Sequence, residues 1–328
     1  MTTVLTDPMP SPADGPAPEP EGDKVIQART PLQLAWLRFK KDKVALGAAI
    51  VILLLVLIAL PPVNRFLIDL VGHPPDLQYR DTGLEVDGLP VGPGTGGKDG
   101  TFLLGTDGLG RDVLSRLIHG SQISLIIGIV ATGVALIIGV LVGLFAGYYG
   151  GKVDTVLSRV MDIILSFPQL LFAIAIIAVL DRRSVAILIF VIAFFGWVYI
   201  ARIVRGQVLS LREKEFIEAA RSLGASDMRI IFTDVLPNLV APIIVYTTLV
   251  IPQNILTEAS LSFLGLGVEL PRATWGNMLF EAVSYYQFAW WFFTFPGLAL
   301  LTTVLAFNLL GDGLRDALDP RAERTMAK

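Results

Sequence analysis

The sequence predicts an all-α, polytopic membrane protein with six transmembrane helices. Bulk composition is the first reason: of 328 residues, 53% are hydrophobic and 17% charged, with a mean hydropathy of +0.66. A soluble chain of this length has no interior large enough for that much apolar surface, so lipid must cover the remainder. A series of charge-free runs is the second, each near or above the roughly 17 to 25 residues that a helix needs to cross the hydrocarbon. The third is the placement of Lys and Arg, which gather at alternate ends of those runs.

Taken in order, residues 1–23 are dense in Pro, Ala, Ser and acidic groups and are expected to form a disordered cytoplasmic tail. No basic start leads into an apolar core there, so no secretory signal is expected. Residues 24–60 hold a basic flank (Lys24, Arg29, Arg38, Lys40, Lys41, Lys43) and the first span, 44–60. That flank places the N-terminus in the cytoplasm. Residues 61–120 then form an extracytoplasmic loop with more acidic than basic groups, glycine-rich over 83–100. A core over 121–310 contains five further spans, at 121–151, 163–180, 184–201, 239–257 and 282–311, and residues 311–328 are a cytoplasmic tail. Arg159, Arg202, Arg205, Arg212, Arg229, Arg315, Arg321, Arg324 and Lys328 all fall on the cytoplasmic side of this arrangement. Tyr285, Tyr286, Trp290 and Trp291 open the last run with amphipathic rings that suit the headgroup level.

The segment 206–236 is polar and helical in character, and it lies between the fourth and fifth spans. In Glu215-Phe216-Ile217-Glu218-Ala219-Ala220-Arg221-Ser222-Leu223-Gly224, the residues Phe216, Ala220 and Leu223 form a narrow apolar stripe beside small alanines. Gly224 suits a left-handed helix end, and Ser226 or Asp227 can cap a second helix leading to Leu236-Pro237. Periodicity alone also fits an amphipathic helix lying on the bilayer surface.

Order and spacing go further. Glu218-Ala219-Ala220, three residues, Gly224, then a distal Leu236-Pro237 resembles the cytoplasmic "EAA" coupling loop of permease subunits in bacterial ATP-binding-cassette importers. The resemblance runs from about Leu32 to Arg321 and is closest to the C-type permeases of dipeptide, oligopeptide and nickel importers. Its marks are Leu104-Gly105-Thr106-Asp107, Gly110-Arg111-Asp112-Val113-Leu114-Ser115-Arg116, Phe167-Pro168, Leu261-Ser262-Phe263-Leu264-Gly265-Leu266-Gly267 and Gly311-Asp312-Gly313-Leu314-Arg315-Asp316. Asp234 departs from the pattern, which has an aliphatic residue two before Leu-Pro.

The resemblance implies a type I importer permease in a bacterial cell membrane, with both termini cytoplasmic. It implies a second, homologous permease beside it, two ATPase subunits docked on the coupling loops, and an extracytoplasmic substrate-binding protein. This chain would then bind no cofactor, ATP and Mg being used by the partners, and it would catalyse no reaction itself. Short peptides are the implied cargo, with nickel or another small solute as the alternative.

Other function classes find little in the residues. Net charge of −3 argues against nucleic acid, and zero cysteines exclude disulfides and thiolate sites. His73 and His119 stand apart from any ligand cluster. Gly92 to Lys98 has the G-x4-G-K spacing of a phosphate loop, but Asp99 replaces the Ser or Thr and no strand precedes it, so the run is expected to be a plain loop. A transporter driven by an ion gradient would need ionisable groups near the bilayer midplane, and these spans offer almost none. Glu258 is the exception near a membrane end, expected to hydrogen-bond the following turn. Asp162 is expected to pair with Arg159 or water, and Gly139, Gly143 and Gly147 mark a close helix contact. Pro168 and Pro296 are places for a kink.

Overall fold

A computed structural model describes residues 31–180 and 182–318. The expected tail 1–23, with Lys24, Arg29, Arg321, Arg324 and Lys328, lies outside the described residues. The chain is a helical bundle whose longest members are apolar enough to cross a membrane.

α1 (Pro31–Phe39) meets α2 (Lys43–Ala59) at a bend of 92°. The bend falls at Asp42, whose carboxylate accepts from the backbone N–H groups of Val44 and Ala45 at 2.9 and 3.1 Å and so starts α2. α3 (Pro61–Val71) opens the loop segment, where β1 (Thr95–Gly97) and β2 (Gly100–Phe102) pair as an antiparallel hairpin. The glycine-rich run that resembles a phosphate loop is therefore one arm of a hairpin with no helix behind it.

α4 (Val113–Tyr149) begins earlier than hydropathy indicates, because Asp112 caps it by accepting from the Ser115 N–H at 2.7 Å. α5 (Gly151–Ser166) and α6 (Gln169–Leu180) follow, and the kink expected at Pro168 in the third span is found. Residues 163–180 are not one straight helix: the chain turns by 78° at Phe167-Pro168, since the ring of Pro168 disfavours helical geometry in the residue before it. α7 (Val185–Leu211) returns alongside α4. After the polar segment, α10 (Leu236–Leu261) runs into a wide turn, Ser262–Leu266, then α11 (Trp275–Ala282) and α12 (Trp290–Leu318). Among the described residues four continuous helices are long and apolar enough to span, and up to six spans result when each bent pair counts as one. In α12, Pro296 sits inside an unbroken helix.

The glycine register of α4 explains its fit to α7. A Cβ added at Gly139, Gly143 or Gly147 would sit 2.6, 2.7 or 2.6 Å from the Trp197 carbonyl, the Ala201 carbonyl and Val208 Cβ respectively. Contacts that advance together along both helices make the pair parallel, with backbones closer than any larger residue permits. α10 runs antiparallel to α4. Ser124 and Ser262 hydroxyls donate to the buried Glu258 carboxylate at 3.1 and 2.7 Å, and Ser124 Oγ also accepts from the Trp275 N–H at 3.2 Å. Glu258 thus bonds the following turn, and it also links α10 to α4, which spacing alone did not reveal.

The loop end of the bundle is held by a buried ion cluster. Arg111 lies 2.6 Å from Asp107 and 2.9 Å from Glu281, while Arg116 reaches Glu281 at 3.0 Å and Asp107 at 3.3 Å. Burial disfavours the charge on Arg111, but Asp107 and Glu281 outweigh it and hold the guanidinium above its ordinary range. His73 lies against the Asp112 carboxylate at 3.0 Å and the Asp99 carbonyl at 2.9 Å. Among the described residues no group of His, Asp or Glu could hold a metal ion. One further expectation is corrected here and one is extended. Trp291 is buried, its indole N–H donating to the Thr106 carbonyl at 3.1 Å, so of the aromatic set Trp290 and Tyr286 are the exposed rings. Asp162 pairs with Arg202 at 2.6 Å, nearer than Arg159 at 4.0 Å, because α7 packs beside α5.

Candidate coupling surface

At the opposite end of the bundle, the chain leaves α7 and enters α8 (Glu215–Ser222) through an extended Lys214. One side chain anchors this helix. Ile217 is fully buried among Tyr148, Met161, Val208, Ile230, Ile231 and Val235, and Ala220 packs partly against the same cluster. Burying an isoleucine of this kind is worth about 1.5–3 kcal/mol. Of the expected stripe Ala220 faces the cluster and the other two residues face away: Phe216 is 45% exposed and Leu223 89% exposed, with Glu218 and Ala219 exposed between them. Tethering from beneath and apolar exposure above leave a surface shaped for contact.

Gly224 ends α8 with φ +78, a left-handed conformation that costs an L side chain about 1–2 kcal/mol. Its neighbours close the helix end, the Gly224 N–H donating to the Arg221 carbonyl at 2.9 Å and the Ala225 N–H to the Ala220 carbonyl at 3.1 Å. An added Cβ would meet nothing within 4 Å, so the glycine serves backbone geometry and not space. A single turn, α9 (Asp227–Arg229), and a bulged turn, Ile230–Val235, carry the chain into α10. Leu236 is partly buried against the Ile217 cluster, and Pro237 stands exposed in the first turn of α10, where its missing N–H is no loss. Neither Ser226 nor Asp227 makes the expected side-chain cap.

Asp227 is used differently. The Tyr148 hydroxyl donates to Asp227 Oδ1 at 2.9 Å, and the Arg221 guanidinium lies 5.1 Å from the centre of the Tyr148 ring. Tyr148, in the last turn of α4, therefore grips the helix on each side of the Gly224 bend. Sequence reading missed it, although the pair Tyr148-Tyr149 before Gly150-Gly151 marks a helix end near an interface. Arg205 and Asp154 form a close ion pair, and Arg212 Nη1 donates to the Gly147 carbonyl at 3.2 Å, fastening the end of α7 to α4 and α5.

This arrangement, a bent surface element seated on long apolar helices, agrees with what comparison finds. Residues 139–324 match the family of binding-protein-dependent transport system inner membrane components, and residues 30–80 match the N-terminal transmembrane domain of oligopeptide transport permease C. The chain belongs to this permease family. The permease is 42% identical over 302 residues to the di/tripeptide transport system permease protein DppC of Pseudomonas aeruginosa strain UCBPP-PA14, covering 92% of this chain and 96% of that one. It is likewise 42% identical over 293 residues to the glutathione transport system permease protein GsiD of Pectobacterium atrosepticum, covering 89% and 92% of the two chains. Among solved structures it resembles the inward-facing MetNI methionine ABC transporter, with a TM-score of 0.53 at 19% identity, over 63% of this chain and 97% of that one. The fold is that of an ABC importer permease, and the protein is a multi-pass inner-membrane component.

Proposed function

We propose that the permease imports short peptides, driven by ATP hydrolysed on separate subunits, and that α8 and the Gly224 bend receive the force. The observation that carries this is the contrast within α8: Ile217 fully buried, Phe216 and Leu223 exposed. A helix fixed to the bundle on one side and apolar on the other transmits displacement only if a partner covers the free side. Two ATPase subunits are the partners, one on this loop and one on the corresponding loop of a second, homologous permease. An external binding protein delivers cargo at the opposite end. Glu218, Ala219, Ala220 and Gly224 form the seat, and Leu236-Pro237 joins it to α10. The chain itself has no catalytic role and binds no cofactor; ATP and Mg belong to the partners.

In this reading both termini are cytoplasmic, consistent with the basic groups around Arg202, Arg205, Arg212 and Arg221 near the coupling end. Peptide cargo is supported by the relatives named for di/tripeptide and for glutathione transport, the second also a small peptide. ATPase closure shifts α8, and α7 and α10 on either side move the bundle between inward-open and outward-open arrangements. The test is Ala219→Trp, which adds bulk on an exposed side and leaves the bundle untouched. Expected is loss of ATPase co-purification with normal membrane insertion; retained assembly at wild-type yield overturns the assignment.

A further inference from the structure

A cavity of about 490 Å³ opens at the loop end of the bundle, where α6 gives way to α7 and α10 runs into the turn before α11. Its walls are built. Arg183 Nη1 donates to the Gly265 carbonyl at 2.8 Å and the Glu269 N–H donates to the Arg183 carbonyl at 3.0 Å, so two bonds hold the α6–α7 link against the chain that follows α10. Asn277 Nδ2 donates to the Val268 carbonyl at 2.8 Å and fixes the inner side.

Three charged side chains border this space, Arg182, Arg183 and Glu269, and Arg183 is engaged through Nη1 with the Gly265 carbonyl. Arg182 and Glu269 differ from it: among the described residues neither side chain has an ion-pair or hydrogen-bond partner, including each other. Ile177, Leu270 and Phe280 supply apolar wall to the same space, and Arg182 and Glu269 are exposed at it. Unpaired cationic and anionic side chains on one partly apolar cavity suit a ligand carrying both charges. A simple anion would meet Arg182 and Arg183 but would leave Glu269 without a counter-charge and be repelled by it. The volume lies within the roughly 300–1,000 Å³ of small-molecule clefts.

We propose that this cavity is a landing site for free short peptides, Arg182 holding the terminal carboxylate and Glu269 the terminal ammonium. The inference rests on the peptide reading above and gives this chain a share in recognising cargo. Charge-assisted bonds of this type fix orientation as well as affinity.

The test is equilibrium dialysis of radiolabelled dialanine, dialanine amide and N-acetyl-dialanine against the assembled transporter, without its binding protein. Wild type is expected to bind dialanine saturably. Arg182→Ala should weaken dialanine about tenfold and leave the amide, which lacks the carboxylate, unchanged. Glu269→Ala should weaken dialanine about tenfold and leave the N-acetyl form unchanged. The double exchange Arg182→Glu with Glu269→Arg should recover dialanine binding in the reversed orientation. No saturable binding by wild type, equal losses for all three probes, or tighter binding after Glu269→Ala would overturn the site. The same complex is assayed with its binding protein for ATP-driven dialanine uptake. Uptake without dialysis binding removes the cavity and leaves the cargo reading standing; absence of uptake for dialanine and other short peptides removes both.

Discussion

The two ends of the permease are secured in opposite ways. At the loop end, Asp107, Arg111, Arg116 and Glu281 are joined in a nearly dry ion cluster. At the coupling end, one buried isoleucine and one tyrosine hold a helix whose apolar stripe remains uncovered. Buried charges tolerate no displacement, because separating them leaves an unpaired ion in a poorly solvated place. A hydrophobic foot under a surface helix tolerates small shifts at little cost. The comparison teaches that this chain is rigid at the loop end of the bundle and compliant at the end that carries α8.

The largest expected effect tests the rigid end. Arg116→Ala strands Asp107 and Glu281 beside a single remaining arginine and should destabilise the protein by about 3–5 kcal/mol, read as a lowered melting temperature in detergent. A smaller effect is expected at the compliant end, where Ile217→Ala should cost about 2–4 kcal/mol locally, seen as faster amide exchange confined to residues around α8. If Ile217→Ala instead melts the entire bundle, the two ends are not independent. Gly224→Ala should cost about 1–2 kcal/mol from the left-handed backbone alone, with no steric penalty, measurable by the same exchange experiment. Leu223→Ser should change stability by less than about 0.5 kcal/mol while reducing ATPase co-purification, which separates surface from scaffold.

Much of this was legible in the residues. Composition and charge-free runs identify a bundle of membrane helices, since lipid is the only solvent that such runs accept. The left-handed Gly224 and the close approach at Gly139, Gly143 and Gly147 follow from the single property glycine offers at each place. What stayed hidden depends on contacts distant in sequence. Hydropathy does not register direction, and it was Pro168 that marked the turn at Phe167-Pro168, though not its size. Trp291 reads as an interfacial ring until Thr106 supplies its acceptor, and Asp162 reads as a partner of Arg159 until α7 brings Arg202 closer. In the polar segment, spacing indicated a helix ending at Gly224 but not the roles of Ile217 or Tyr148, because the cluster around them is assembled from α4, α5, α7 and the turn before α10.

One feature of α4 reaches beyond its packing. At 37 residues it is about 56 Å long, well over the roughly 30 Å of hydrocarbon, and its first turns hold Arg116 while its last holds Tyr148. A single uninterrupted strut therefore passes from one aqueous phase to the other with a fitting at each tip. Tilting it at the Tyr148 tip must swing the Arg116 tip through an arc, so a displacement on one face of the membrane can arrive at the other without any relay of intermediate rearrangements.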